Sequence, residues 1–150
     1  MESLFDAGCA EGMKQRLSRL KPDQPRQWGK MNAGQMLAHC SKGLRMATGE
    51  IRAPRPLMGR ILGPIVKPMA LREGVPMHKN SPTSRELVIG EPIDFEAERA
   101  QLIALIDRFG AAGAAGCTDH PHPFFGRLTA DEWSMLMWKH LDHHLRQFGV

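Results

Sequence analysis

Two histidines four residues apart, His140 and His144, are the first feature of this sequence that could do chemistry. On a helix turning about 100° per residue, they share an arc of about 60° with Trp133 and Met137. Side chains at that spacing carry their Cβ atoms about 5–6 Å apart, close enough to share one ion. Trp133 and Met137 mark a stripe that should face a core, so both imidazoles must be desolvated together. Each ring could be satisfied by its own hydrogen bond, but a shared divalent metal satisfies both at once. His143 falls at the edge of that stripe and reads as a supporting or surface residue, with a ligand role as the alternative.

A third ligand has to come from elsewhere in the chain. His39, in the run Gln35-Met-Leu-Ala-His-Cys40, lies on the margin of a second apolar stripe and is either a ligand or a boundary residue. Cys40 sits deeper in that stripe, where a free cysteine is usually a small core residue but could ligate as a thiolate. Cys117, His120 and His122 could clasp an ion by themselves, although no second pair stands at zinc-finger spacing.

The elements that must position these residues are helical. Phe5, Cys9, Met13, Leu17 and Leu20 recur at spacings of three and four, and the run Lys21-Pro-Asp-Gln-Pro25 ends their helix. Asn32 is an N-cap for a second helix, with Ala33, Met36, Leu37, Cys40, Leu44 and Ala47 inward and Gly49 as its stop. A third begins near Asp94 and buries Phe95, Leu102, Ile103, Ile106 and Phe109. Thr129-Ala-Asp-Glu132 is a capping box that starts the last one. The expected spans are 4–20, 32–49, 94–112 and 129–148, each end good to about two to four residues. Four such stripes and no paired strand predict an all-α, four-helix bundle over 1–150 as one domain. Residues 50–93 carry seven prolines. One or two helical turns, kinked at Pro64, are expected within 57–72, and Arg85–Ile89 reads as extended.

Bulk properties narrow the classes further. The net charge of +4 is concentrated in residues 41–90, where nine Lys/Arg face three Glu. Tyr is absent and no Phe or Trp lies between Trp28 and Phe95, so the basic segment lacks the stacking platforms of a nucleic-acid binder. The longest apolar-looking stretch, Leu57 to Leu71, is broken by Arg60, Pro64, Lys67 and Pro68, which argues against a membrane span. The N-terminal residues show no signal-peptide pattern, and three cysteines without a CxxC pair do not make a disulfide framework. The expected compartment is the cytoplasm.

The tail His122-Pro-Phe-Phe-Gly-Arg-Leu-Thr-Ala-Asp-Glu-Trp133, followed by Trp138-Lys-His-Leu-Asp-His-His-Leu-Arg-Gln-Phe148, resembles an uncharacterised branch of the DinB/YfiT-like metal-binding superfamily. Arg26-Gln-Trp-Gly-Lys-Met31 and Gln35–Cys40 match the same branch, and Lys79-Asn-Ser-Pro-Thr83 does so more loosely. The resemblance implies a four-helix bundle with a three-histidine site: His39 from the second helix, His140 and His144 from the last, and Gln147 completing the run. It also implies kinship with thiol-dependent transferases and isomerases, although no thiol-binding signature is visible here.

Three imidazoles leave a coordination position open, as catalytic zinc sites do. Such an ion ionises a bound thiol or lowers the pKa of a bound water to about 7. The resemblance favours the first, a thiol transferase acting on a small molecule with a low-molecular-weight thiol. Hydrolysis is the alternative, and a non-catalytic bundle with a vestigial site is the third class. Neutral imidazoles suit zinc and nickel, then iron and copper. No carboxylate is spaced as a general base; Glu11, Glu132 and Asp142 read as surface or capping residues. A homodimer is left open. Protons should compete with the metal as pH falls through about 6.5.

Overall fold

The computed structural model describes residues 2–150. Five α-helices follow in order: α1 (Ala7–Arg19), α2 (Ala33–Ala47), α3 (Leu57–Ala70), α4 (Phe95–Ala112) and α5 (Ala130–Gln147). Single 3₁₀ turns cover Arg85–Leu87 and Gly113–Gly116. Among the described residues the one extended pairing is an isolated bridge between His122 and Gly126.

Each helix of the bundle starts where its side chains can satisfy the free amides of the first turn. Asp6 Oδ1 accepts from the Cys9 amide, and Asp94 Oδ1 from that of Ala97. Asn32 and Gln35 form a reciprocal capping box on α2, as Thr129 and Glu132 do on α5. The four helices α1, α4, α2 and α5 then pack as a ring in that order, with α1 diagonal to α2 and α4 diagonal to α5. Met13 and Leu17, Met36 and Leu44, Leu102 and Ile106, and Trp133 and Leu141 fill its centre. No helix among the described residues is long and apolar enough to cross a membrane.

α3 corrects the sequence expectation. In place of one or two kinked turns, residues 57–70 form one helical segment that includes Pro64 and Pro68. The missing proline amides deprive the carbonyls of Arg60 and Pro64 of partners, but both prolines are exposed, so water can serve those oxygens. The helix stands outside the ring against the 123–125 loop. A Cβ on Gly59 would lie 2.5 Å from the Pro123 carbonyl, and one on Gly63 would collide with that of Phe124. Only glycine permits that approach, which compensates for two unfavourable prolines. The opposite face leaves Leu57, Met58, Ile61 and Ile65 exposed.

Two side chains of α5 hold outer parts of the chain. Lys139 is buried, and its ammonium donates to the carbonyls of Ala70 (2.6 Å) and Arg72 (2.7 Å), tying the end of α3 to the bundle. Asp142, expected at the surface, is buried instead. Arg16 meets it at 2.7 Å and Arg146 at 2.8 Å, because α1 crosses α5 at this point and supplies the cation that makes burial tolerable. Arg85–Ile89 also departs from expectation. A 3₁₀ turn at Arg85–Leu87 replaces the extended run, since no strand is available to pair with it.

Candidate metal centre

α2 and α5 are neighbours in the ring, and the pairing brings together histidines about a hundred residues apart in sequence. His39 Nε2 lies 2.8 Å from His140 Nε2. The His144 ring centre is 4.7 Å from both other rings. One nitrogen from each of the three lies within 4.8 Å of the other two. Among the described residues no other group of three His, Cys, Asp or Glu side chains converges in this way.

The hydrogen bonds behind the rings decide which nitrogens face inward. His39 Nδ1 meets the Leu87 carbonyl at 2.9 Å, and a carbonyl only accepts, so Nδ1 carries the proton and Nε2 keeps its lone pair. Gln147 donates through Nε2 to the Trp28 carbonyl at 2.8 Å, which turns its Oε1 towards His144 Nδ1, also at 2.8 Å. His144 therefore donates from Nδ1 and likewise leaves Nε2 free. With His39 Nε2 acting as acceptor, His140 must supply the proton between them. An ion seated among the three would take the place of that proton. Tetrahedral zinc with bonds of about 2.0–2.1 Å sets its ligand nitrogens about 3.3 Å apart, inside the range these rings span. The donor set fits a divalent metal.

Burial favours the neutral, ligating form of every ring. His39 and His144 are buried, and desolvation holds both below the ordinary histidine range, with His144 lowered to about 3. His140 is pushed well down by desolvation and then by the proximity of His144 and His39. His143 is half-buried beside the triad, its ring centre 5.0 Å from that of His144 and 5.6 Å from that of Trp28.

The other candidates go elsewhere. Cys40 is enclosed with its sulfur against Met36, and burial pushes its thiol pKa far up, the opposite of what a thiolate ligand requires. His120 Nε2 bonds to the Ala53 carbonyl, and His122 Nδ1 accepts from the amides of Phe124 and Phe125. Cys117 does not join them.

Sequence reasoning missed the residues that make room. Gly43 stands one turn after His39, and a Cβ there would lie 3.1 Å from His140 Nδ1 and 3.2 Å from Cε1. A lone glycine inside a helical pattern was the available signal. Gly29 adopts φ 81°, and a Cβ on it would collide with the Gln147 amide, so glycine serves both the turn and the bond to His144.

Residues 5–149 match the family described as "Protein of unknown function (DUF1569)". The chain belongs to the DUF1569 family. No curated protein and no solved structure matches it. The described site is therefore a feature of a DUF1569 domain read from its own residues.

Gln147→Ala should separate orientation from ligation. Removing a partner that fixes a ligand's tautomer typically costs about 10–100-fold in metal affinity. That loss is expected here without loss of helicity, measured by competition with a chromogenic chelator. Unchanged affinity would mean that Gln147 does not set His144.

Proposed function

We propose that this domain is a DinB/YfiT-like metal protein in which His39, His140 and His144 hold zinc or nickel, and that it activates a small-molecule thiol for transfer. The observation that supports this reading is the pair of Nδ1–H anchors, at Leu87 and Gln147, which turn two Nε2 lone pairs onto the same point as His140. Three neutral imidazoles leave a position open, and the ion, when bound, supplies the Lewis acidity that keeps a coordinated thiol ionised at neutral pH. The protein's own part is to hold three rings neutral and oriented and to screen them from water on α2 and α5.

The surroundings favour a thiol over an activated water. Among the described residues no carboxylate joins the triad to act as a general base, and both oxygens of Asp142 are taken by Arg16 and Arg146. A thiol held by the ion would need no such base, because coordination would lower its pKa enough for solvent to carry the proton away.

The test uses untagged protein loaded with Co²⁺. A small thiol such as 2-mercaptoethanol is expected to give a sulfur-to-cobalt charge-transfer band in the near ultraviolet, absent in His144→Ala. An electrophile should be consumed only when the thiol is present. Thiol-independent hydrolysis without such a band would replace this reading, and failure to retain any metal would end it.

A further inference from the structure

One residue along α5 from His144, the bundle opens into a cavity of about 280 Å³. Trp28, Met77, Lys79, His143 and Arg146 are among the residues that line it. The volume lies just under the roughly 300–1,000 Å³ typical of small-molecule sites, so an occupant would be small. A single imidazole, His143, stands between this space and the triad, with Trp28 on one side and His144 on the other. The Trp28 carbonyl is also the anchor of the Gln147 bridge to His144. The cavity and the candidate metal centre thus share a wall.

The charges on that wall are not balanced. The Lys79 ammonium sits 4.2 Å above the Trp28 ring centre, and among the described residues it forms no ion pair with a carboxylate. Arg146 meets Asp142 through its Nε at 2.8 Å, and its side chain is otherwise largely exposed, so its guanidinium remains accessible to a ligand. Asp142 is itself claimed twice, since Arg16 also bonds to it, so its charge does not neutralise the cavity. The indole N–H of Trp28 is enclosed and has no acceptor within the protein. Buried donors are rarely left so, and a ligand or ordered water is the usual remedy. Met77 and Pro76 supply apolar wall beside these donors. Cationic donors without acceptors, next to apolar surface, select a molecule with a negative group and an apolar body.

We propose that this cavity binds a small organic carboxylate, its anionic group meeting Lys79 and Arg146 and its apolar body lying against Met77 and Pro76. This names the substrate class for the candidate metal centre. It rests on the metal reading for what is done to the carboxylate, but not for whether the carboxylate binds.

The probe is benzoate, with benzylammonium as the same ring carrying the opposite charge. The full chain, ¹⁵N-labelled and without added metal, is titrated with each while the Trp28 indole N–H resonance, assigned by its loss in Trp28→Phe, is followed. Benzoate is expected to shift that resonance saturably, and benzylammonium is expected to leave it in place. Lys79→Gln should weaken benzoate about tenfold, the worth of one charge-assisted hydrogen bond, while Lys79→Arg restores it. Lys79 is exposed and forms no ion pair among the described residues, so neither variant is expected to threaten the fold. His39→Ala should bind benzoate as the wild type does, which keeps failure of the metal reading distinct from failure of this one. An indole resonance that ignores benzoate, responds equally to benzylammonium, or titrates identically in Lys79→Gln overturns the proposal.

Discussion

Chelator-treated protein is expected to lose its fold between about pH 6 and pH 4.5, well before ordinary carboxylate titration would account for it. Four histidines, His39, His122, His140 and His144, are held below their ordinary range chiefly by burial. Their folded pKa values lie beneath the unfolded value of about 6.5, so the unfolded chain takes up protons that the native state refuses. Their contribution is complete above pH 6.5 and is lost as pH falls towards the folded values, about 4 for His122 and about 3 for His144. Each such group costs up to about 1.4 kcal/mol per pH unit in that window. At pH 4.5 these two alone remove on the order of 5 kcal/mol, comparable to the whole stability of a marginal domain. Far-ultraviolet circular dichroism against pH, combined with urea melts at pH 7.5, 6.0 and 5.0, measures this. Stability unchanged between pH 7.5 and 5.0 would contradict the burial of these rings.

The parts of the fold legible in the sequence were those governed by local rules. Asn32 and Thr129 announce α2 and α5 because a capping side chain needs only its own next three residues, and both boxes form. The inward face of α2, from Ala33 to Ala47, follows from periodicity in the same way. α3 was hidden because its compensation is not local. Pro64 and Pro68 argue against a helix from within, while Gly59 and Gly63 argue for one only once the 123–125 backbone is known to press against them.

The candidate site divides along the same line. His140 and His144 could be read from their own helix, since spacing alone sets them side by side. His39 could not, because its position on the margin of α2 is buried by residues that sequence offers no means to place. The Leu87 carbonyl, brought over by a 3₁₀ turn in the proline-rich segment, both covers the ring and fixes its tautomer. Asp142 and Lys139 were unreadable for a related reason. A charge on a helix wheel looks solvated until its counter-group arrives from α1 or from the end of α3.

Metal binding should raise the melting temperature of the wild type and of His143→Ala, but not of His144→Ala. A ligand at a hundredfold excess over its Kd stabilises the native state by about 2.7 kcal/mol. For a chain of this size that is a shift of about 5–10 °C. Two imidazoles rarely hold a divalent ion well, so removing His144 should abolish most of the shift. His143 packs beside the ring of His144 and is not one of the three converging side chains, so its removal should leave the metal-induced part in place. The pH dependence differs from what unperturbed histidines would give. At pH 6.0 exposed imidazoles are about three-quarters protonated and would bind poorly. Here burial lowers all three native rings, His140 well below the ordinary value and His144 to about 3, so protons compete less for the folded site at pH 6.0 than they would for exposed imidazoles. Absolute stability declines with acid, but most of the increment due to Zn²⁺ or Ni²⁺ at pH 7.5 is expected to survive at pH 6.0. Differential scanning fluorimetry of the three proteins, with and without metal at both pH values, provides the readout. An equal shift in His144→Ala would show that the ion sits elsewhere, and a wild-type shift that disappears at pH 6.0 would show that the rings are not held neutral by burial.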